Sequence, residues 1–530
     1  MEKPDNNINR LQTDNMGAAH RMSQPFSTAN LPAAFPYKNP TDPEYPVIAY
    51  NNDLINLFNH PVENVPIEDL MKETLDSIRN CGFNATVLAW NKKPTDWRTI
   101  VRDYYREAES RGLTTILDLT DIPLPAVNQN YASGQGSSLS RNPDGVYYTP
   151  SLDSFEEDLN RDSDVKNLWG FCMRDKPEFI SWGYDYVTAP LDTMIFGGTA
   201  DLCEAYRIFM QNMNRHTAFL NLSVSMERKY VGPEIYERTG TGTSSLGKYL
   251  DAITNRFHPT LMSAEVFPVI KSDTPPYLTV ADWYYSTLEE IGRHTRMYNA
   301  KCWIYMPTVA FKVYHKGSTA VETEYPLPTV EMLRYQALTA IALGVQGLVF
   351  WAYALPENVM QHDSESGASI PKKEYTNAPY NEGVITQIWK NCAAVIPEIK
   401  LFGKVLLNAQ FLEARHFYGS DYVRDKFPDT FDFTSYMGCV AYAAASGRGC
   451  LISRLDKANE RYVAIVSHDP ANSQELTLTM CAGCRWTEYV ILELSDGSLT
   501  ERVHASVGYE AKVNRTLKPG GILLFKYEWV

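Results

Sequence analysis

Eight short apolar runs, each separated from the next by an amphipathic stretch, constrain this chain more than any other feature. The runs are Tyr45–Tyr50, Ala85–Trp90, Thr114–Leu119, Leu168–Met173, Thr217–Leu222, Leu261–Val266, Cys302–Met306 and Gly347–Tyr353. Continuous apolar runs of this length suit strands covered on both faces, as in a parallel sheet. The intervening segments have helical spacing of three and four, as in Ile67, Leu70, Met71, Leu75 and Ile78, or Leu202, Ala205, Tyr206, Phe209, Met210 and Met213. Pro66 suits a first helical turn, and Gly344 suits the end of a helix starting near Thr329. Eight such units, with no glycine-rich phosphate fingerprint after the first strand, predict a closed (β/α)8 TIM barrel rather than an open doubly wound sheet.

Five hundred and thirty residues exceed what one barrel needs, and the pattern divides accordingly. Residues 1–42 are rich in Asn, Gln, Pro and Ser and predict a flexible or surface-draped tail. Residues 43–408 hold the barrel, closed by a helix around Val384–Pro397. From 409 to 530 the rhythm changes to short alternating strands: Arg461–Ser467, Glu475–Met480, Tyr489–Leu494, Tyr509–Val513 and Gly521–Tyr527. Turn signals at Asp469-Pro470, Asp496-Gly497 and Pro519-Gly520-Gly521 separate them, which predicts an all-β sandwich. The fold class is therefore α/β, a barrel followed by a β-sandwich.

Loop lengths mark one face of the barrel. Asp121–Ser151, Val224–Ser244, Pro307–Pro328 and Pro356–Gly383 all follow strands, and the helix-to-strand connections are short. Barrel sites are built at the carboxyl ends of the strands, so these long, apparently structureless loops gather where function is expected.

Composition removes several classes of function. A net charge of −14 without a Lys/Arg cluster argues against nucleic acid, and is compatible with a neutral or basic ligand. No apolar run reaches the roughly 18 residues of a spanning helix. The chain lacks a basic segment followed by an apolar one at its start, so the expectation is a cytoplasmic protein or a mature form without its export segment. Cys81, Cys172, Cys203, Cys302 and Cys392 lie singly in apolar segments and read as buried thiols. Cys481-Ala482-Gly483-Cys484 has ligand-like spacing, but a zinc site needs a second pair or histidines, and none is near in sequence. A local disulfide, or two strand cysteines flanking a turn, are the other readings. No metal and no cofactor are expected. His362-Asp363 reads as a polar loop tip.

The segment from Arg334 to Tyr353, with the run Ala340-Ile341-Ala342-Leu343-Gly344-Val345-Gln346-Gly347-Leu348-Val349-Phe350-Trp351, resembles the last helix-strand step of family 42 beta-galactosidases and related clan A barrel glycoside hydrolases, especially those of Bacteroides-type glycan-utilisation systems. Two further segments agree. Leu168–Pro177 resembles the fourth strand that precedes the acid/base glutamate, and Ser263-Ala264-Glu265-Val266-Phe267-Pro268 resembles a sixth strand ending in an acid, an aromatic and proline. The resemblance covers about Tyr45 to Gln410 and implies a carbohydrate ligand, O-glycosyl hydrolysis and a periplasmic or cell-surface setting.

This chain departs from that pattern at both catalytic positions. Lys176 stands where the acid/base glutamate would be, and Cys302–Pro307 offers no carboxylate for a nucleophile. Glycoside hydrolysis needs two carboxyl groups about 5–5.5 Å apart for retention or about 6.5–9.5 Å for inversion. Lys176 would favour the ionised form of Asp175, making it a base, a nucleophile or a hydrogen-bond acceptor rather than a proton donor. Asp175 with Glu265 is the expected catalytic pair; alternatively Asp175 pairs with Arg174 or Lys176, and Glu265 caps its strand. Trp351 offers an indole face to a pyranose, the other reading being core packing. Tyr353, Trp90, Asn91, Asn52 and Tyr305 lie at predicted strand ends, with Asp118, Lys176 and Glu357 at the same rim. Two functions follow: a hydrolase with an altered constellation, or a carbohydrate-binding barrel without catalysis. A structural protein that recruits partners through its sandwich is a third.

Overall fold

A computed structural model describes residues 44–52, 66–89, 97–118, 168–175, 217–222, 246–247, 250, 254, 259–273, 278–281, 283–364, 366–381, 383–417, 419, 437–481, 488–495, 498–505 and 510–527. Eight parallel strands close into a barrel: Val47–Asn51, Ala85–Leu88, Thr114–Asp118, Leu168–Asp175, Thr217–Leu222, Leu261–Glu265, Lys301–Pro307 and Gly347–Trp351. The first pairs with the last, Val47 opposite Leu348, so no edge remains. These are the eight strands expected from the sequence, with bounds moved by one or two residues.

Two apolar layers follow from burial on both strand faces. Inward residues such as Ile48, Val87, Ile116, Trp169, Phe219, Trp303 and Val349 fill the barrel, with Trp169 stacked on Trp303 at 4.7 Å between ring centroids. Outward residues meet the helices, which include Ile67–Cys81, Trp97–Ser110, Tyr284–Met297, Val330–Ala342 and Gln387–Leu406. Thr329 caps Val330–Ala342 by accepting a hydrogen bond from the Met332 amide. That helix is apolar almost all round because a further sheet covers its outer side.

The helix Gln387–Leu406 is longer than expected and runs through Pro397. Thr386 caps its start, and Val384–Ile385 instead pair with Tyr380–Asn381 as a small hairpin. Within this helix Gly403 faces Tyr45: a Cβ there would lie 2.3 Å from the ring, whose hydroxyl is tied to the Val345 carbonyl. Gly to Ala in a helix ordinarily gains roughly 0.5–1 kcal/mol. Overpacking against an anchored ring costs about 1–3 kcal/mol, so Gly403→Ala is expected to lower stability, measured as a reduced urea midpoint at unchanged slope.

After the barrel, a six-stranded antiparallel sheet runs in the order Gln410–Phe417, Cys450–Lys457, Glu460–Ser467, Ile522–Tyr527, Glu488–Ser495, Ser498–Ala505. A three-stranded sheet contains Val440–Ala445, Gln474–Cys481 and Glu510–Leu517. The two share one apolar cluster that includes Ile452, Val463, Ile465, Leu476, Leu478, Val513 and Phe525. The other face of the larger sheet, through Leu451, Leu455, Tyr462 and Val466, joins the core around the barrel helices.

The loops after the seventh and eighth strands correct the sequence reading. Rather than being structureless, they form a four-stranded antiparallel sheet in the order Val321–Tyr325, Ala310–Tyr314, Ser369–Asn377, Val359–His362. Alternation explains it: Phe311 lies opposite Tyr325 and Tyr375, and Lys312 opposite Glu324 and Glu374, so one face is aromatic and the other charged. His362 and Asp363 sit at a hairpin turn, where Asp363 accepts from the Ser366 amide. The loops 121–151 and 224–244, the tail 1–42 and Cys203 lie outside the described residues. So does most of 481–484: only Cys481 is placed, at the end of a strand.

Burial pushes the thiols of Cys81, Cys302, Cys392 and Cys450 up, which keeps them protonated and unreactive. No helix among the described residues is long and apolar enough to cross a membrane.

Candidate functional site at the barrel mouth

Parallel strands bring the residues at their carboxyl ends to one rim, and the register sets their relative heights. Glu265 pairs with Tyr305 on the seventh strand. Asn221 pairs with Ser263, and Asp175 with Asn221. Asp118 pairs with Cys172, which lies in the interior cluster. Residues on one level of a barrel share a face, so Asn221 and Ser263 turn inward with Trp303, and Glu265 turns inward with Tyr305 one layer nearer the mouth. The register sets the Cα atoms of Asp175 and Glu265 about 12 Å apart, two strands across and two residues along.

Two polar groups on this rim have defined partners. The Tyr50 hydroxyl donates to Asp118 Oδ2 at 2.7 Å, and the Tyr50 ring meets Tyr305 edge-on at 5.8 Å. Ser263 Oγ lies 3.1 Å from Asn221 Oδ1 and 3.2 Å from the Leu220 carbonyl. Asp118, Asn221 and Glu265 are all buried, at 2%, 2% and 6% exposure, so their polar groups work in a medium of low dielectric.

Trp351 ends the eighth strand and is half-buried. Phe267 stacks on it at 5.5 Å, while Tyr375 and Phe311 approach edge-on at 5.8 and 6.2 Å. Phe311 in turn stacks on Tyr325 at 4.2 Å. The aromatic face of the four-stranded sheet therefore roofs Trp351. Beneath it, Thr308 donates its amide to the Trp351 carbonyl at 2.6 Å and its hydroxyl to the Ala352 carbonyl at 3.0 Å. Trp351 thus keeps partial access but is no free-standing platform, since one indole face is already covered by Phe267.

The sequence-derived candidates separate into groups. Asp118, Glu265, Tyr305 and Trp351 come together around the mouth. Tyr305 is almost fully enclosed in the barrel interior. Asn52 spends its amide on Ala354, donating Nδ2 to the carbonyl and accepting the amide at Oδ1, both at 2.9 Å. Tyr353 faces the helix layer instead, with its hydroxyl 2.5 Å from Ser77 Oγ. Glu357 is exposed beyond the eighth strand. Trp90, Asn91 and Lys176 lie outside the described residues, as does the side chain of Asp175.

Sequence reasoning missed Tyr50, Phe267, Phe311 and Tyr375. Tyr50 ends a predicted strand and Phe267 follows Glu265 by two residues, so both were within reach of the same argument. Phe311 and Tyr375 depended on recognising strands inside loops. No group of three or more His, Cys, Asp or Glu among the described residues is placed to hold a metal ion.

No family model and no curated protein matches this chain. Solved structures do match in part. A beta-galactosidase from the psychrophilic Marinomonas ef1 is 11% identical with a TM-score of 0.39, over 68% of this chain and 61% of that one, so the match spans less than two thirds of the galactosidase. GH5_18 from Streptomyces cattleya, in complex with GlcNAc, is 11% identical with a TM-score of 0.37, over 67% of this chain and 80% of that one. A GH30 endoxylanase from Clostridium papyrosolvens C71 is 7% identical with a TM-score of 0.37, over 91% of this chain and 96% of that one. The fold assignment rests on the closed eight-stranded barrel itself.

Proposed function

We propose that this barrel binds a glycan at the carboxyl-terminal mouth and hydrolyses a glycosidic bond there, with Asp175 and Glu265 as its two carboxylates. The observation that carries the reading is the convergence of Glu265, the Tyr50-Asp118 pair and half-buried Trp351 on one rim. Such a set offers acid–base groups, hydroxyl-binding groups and an apolar surface for a sugar ring. The roughly 12 Å between the two Cα atoms leaves room for the about 6.5–9.5 Å of an inverting pair more readily than for the closer retaining pair. In that arrangement one carboxylate activates water, and the other protonates the leaving oxygen. The C-terminal sheets are read as a β-sandwich accessory unit, and the setting as glycan utilisation at a cell surface or in a periplasm.

Two observations favour a second reading, a carbohydrate-binding barrel without catalysis: the seventh strand ends in Tyr305-Met306-Pro307 with no carboxylate, and Glu265 is itself nearly enclosed. Incubation with a broad glycan panel separates the two. Hydrolysis releases new reducing ends; binding alone gives calorimetric heat without release. In either case Trp351→Ala is expected to weaken binding about tenfold, since a stacked ring contributes roughly 1.4 kcal/mol. Unchanged affinity in that variant would remove Trp351 from the ligand surface.

A further inference from the structure

Away from the mouth, where the larger C-terminal sheet meets the helix Tyr284–Met297, two histidines are buried against each other. His416 Nδ1 lies 3.0 Å from His468 Nε2, and His416 Nε2 lies 3.0 Å from Glu289 Oε1. His416 is fully buried and His468 nearly so. They come from different places: Glu289 from the helix, His416 from the strand Gln410–Phe417, and His468 from just after Glu460–Ser467. Tyr285 of the same helix packs on both imidazoles, at 4.8 and 4.9 Å between centroids. Its hydroxyl lies 2.5 Å from that of Tyr335 on Val330–Ala342.

The proton count in this chain is limited by geometry. A ring-to-ring contact of 3.0 Å holds one proton, donated by one nitrogen and accepted by the other. A second imidazolium would set two N–H groups pointing at each other. Glu289 is the carboxylate in contact with His416; Asp469 lies beside His468 but faces Arg448, 3.9 Å from its guanidinium. Arg448 also acts on His468 and on Tyr285, and Tyr335 and Cys450 lie near Tyr285. Burial first, and then His416, hold His468 well below the usual imidazole range.

We propose that Glu289, His416 and His468 form an acid-labile latch that docks the C-terminal sheets on the barrel and releases them as pH falls. The sign follows from His468. Above about pH 6.5 the ring is neutral whether docked or free. Below it the free ring takes a proton that the docked ring refuses, so docking weakens by about tenfold per pH unit for each proton taken up. The latch is independent of any activity at the mouth.

The test uses the full chain, wild type and His468→Gln, which keeps a neutral donor toward His416. Urea unfolding and amide hydrogen exchange, corrected for intrinsic rates, are followed from pH 7.5 to 5. In wild type, exchange within 284–297 and 410–417 is expected to accelerate below pH 6.5 ahead of the barrel strand 347–351, and in His468→Gln that acceleration is expected to flatten. Equal pH slopes in the two proteins, or interface exchange that never departs from that of the barrel strand, would overturn the latch. Should the variant not fold, the histidine carbon signals of wild type decide: a His468 titrating near pH 6.5 with the interface still protected also overturns it.

Discussion

Glu265→Gln and Asp175→Asn, each assayed for reducing-end release on a glycan that the wild type cleaves, are expected to lower turnover by about 10²–10⁴-fold with little change in stability. Both substitutions preserve shape while removing the carboxylate that the proposed reaction uses. Glu265 is buried beside Tyr305 in the register of the mouth, so a neutral amide there meets a site already adapted to low dielectric. The double variant should fall little further than the worse single one, because an acid and a base that serve one step fail together. Release that survives both substitutions would move the chemistry elsewhere, and Asp118 would be the first group to examine. Binding measured on the same variants separates the roles: turnover lost at unchanged affinity marks chemistry, and affinity lost in parallel marks hydrogen bonding to the sugar.

The largest stability effect is expected at Glu398→Ala. Glu398 Oε2 receives Arg334 Nε and Lys518 Nζ, each at 3.0 Å, and its side chain is only 8% exposed. Arg334 also donates to the Pro519 carbonyl, so one carboxylate ties two barrel helices to the turn that precedes the last strand. Gly520 in that turn, at φ +62°, packs where a Cβ would come 2.5 Å from Tyr335 Cα. Removing the carboxylate strands Arg334, itself 11% exposed, without its counter-charge. A loss of about 3 kcal/mol is expected from such an uncompensated buried charge. Glu398→Gln, which keeps an acceptor, should lose less. Denaturant unfolding gives the size of the effect, and exchange at 518–521 shows whether the turn loosens first. A change below about 0.5 kcal/mol would mean that solvent replaces the carboxylate, as at surface pairs.

The barrel was legible because its signal is repeated eight times. A strand buried on both faces must be apolar throughout, and an intervening helix must carry a stripe, so runs such as Leu261–Val266 and Gly347–Tyr353 announce themselves. The four-stranded sheet over the mouth was not legible. Its strands alternate Lys312 with Phe311 and Val313, and Glu324 with Thr323 and Tyr325, which reads as polar loop until the pairing partner is known. The same limit applies at the site. Strand ends could be guessed from the sequence, but whether a side chain turned inward depended on single-residue register, which placed Glu265 at the mouth and Tyr353 against Ser77. Four strands of the C-terminal sheets, among them Gln410–Phe417 with His416, also went unseen, and with them the histidine contact.

The sheet formed by 310–325 and 359–377 makes one wall of the mouth out of backbone-paired hairpins. A wall of that kind is already ordered before any ligand arrives, so little conformational entropy is lost on that side during association. Fit there is decided by an existing outline around Trp351, Phe267 and Tyr375, and a group too wide for it is turned away rather than accommodated.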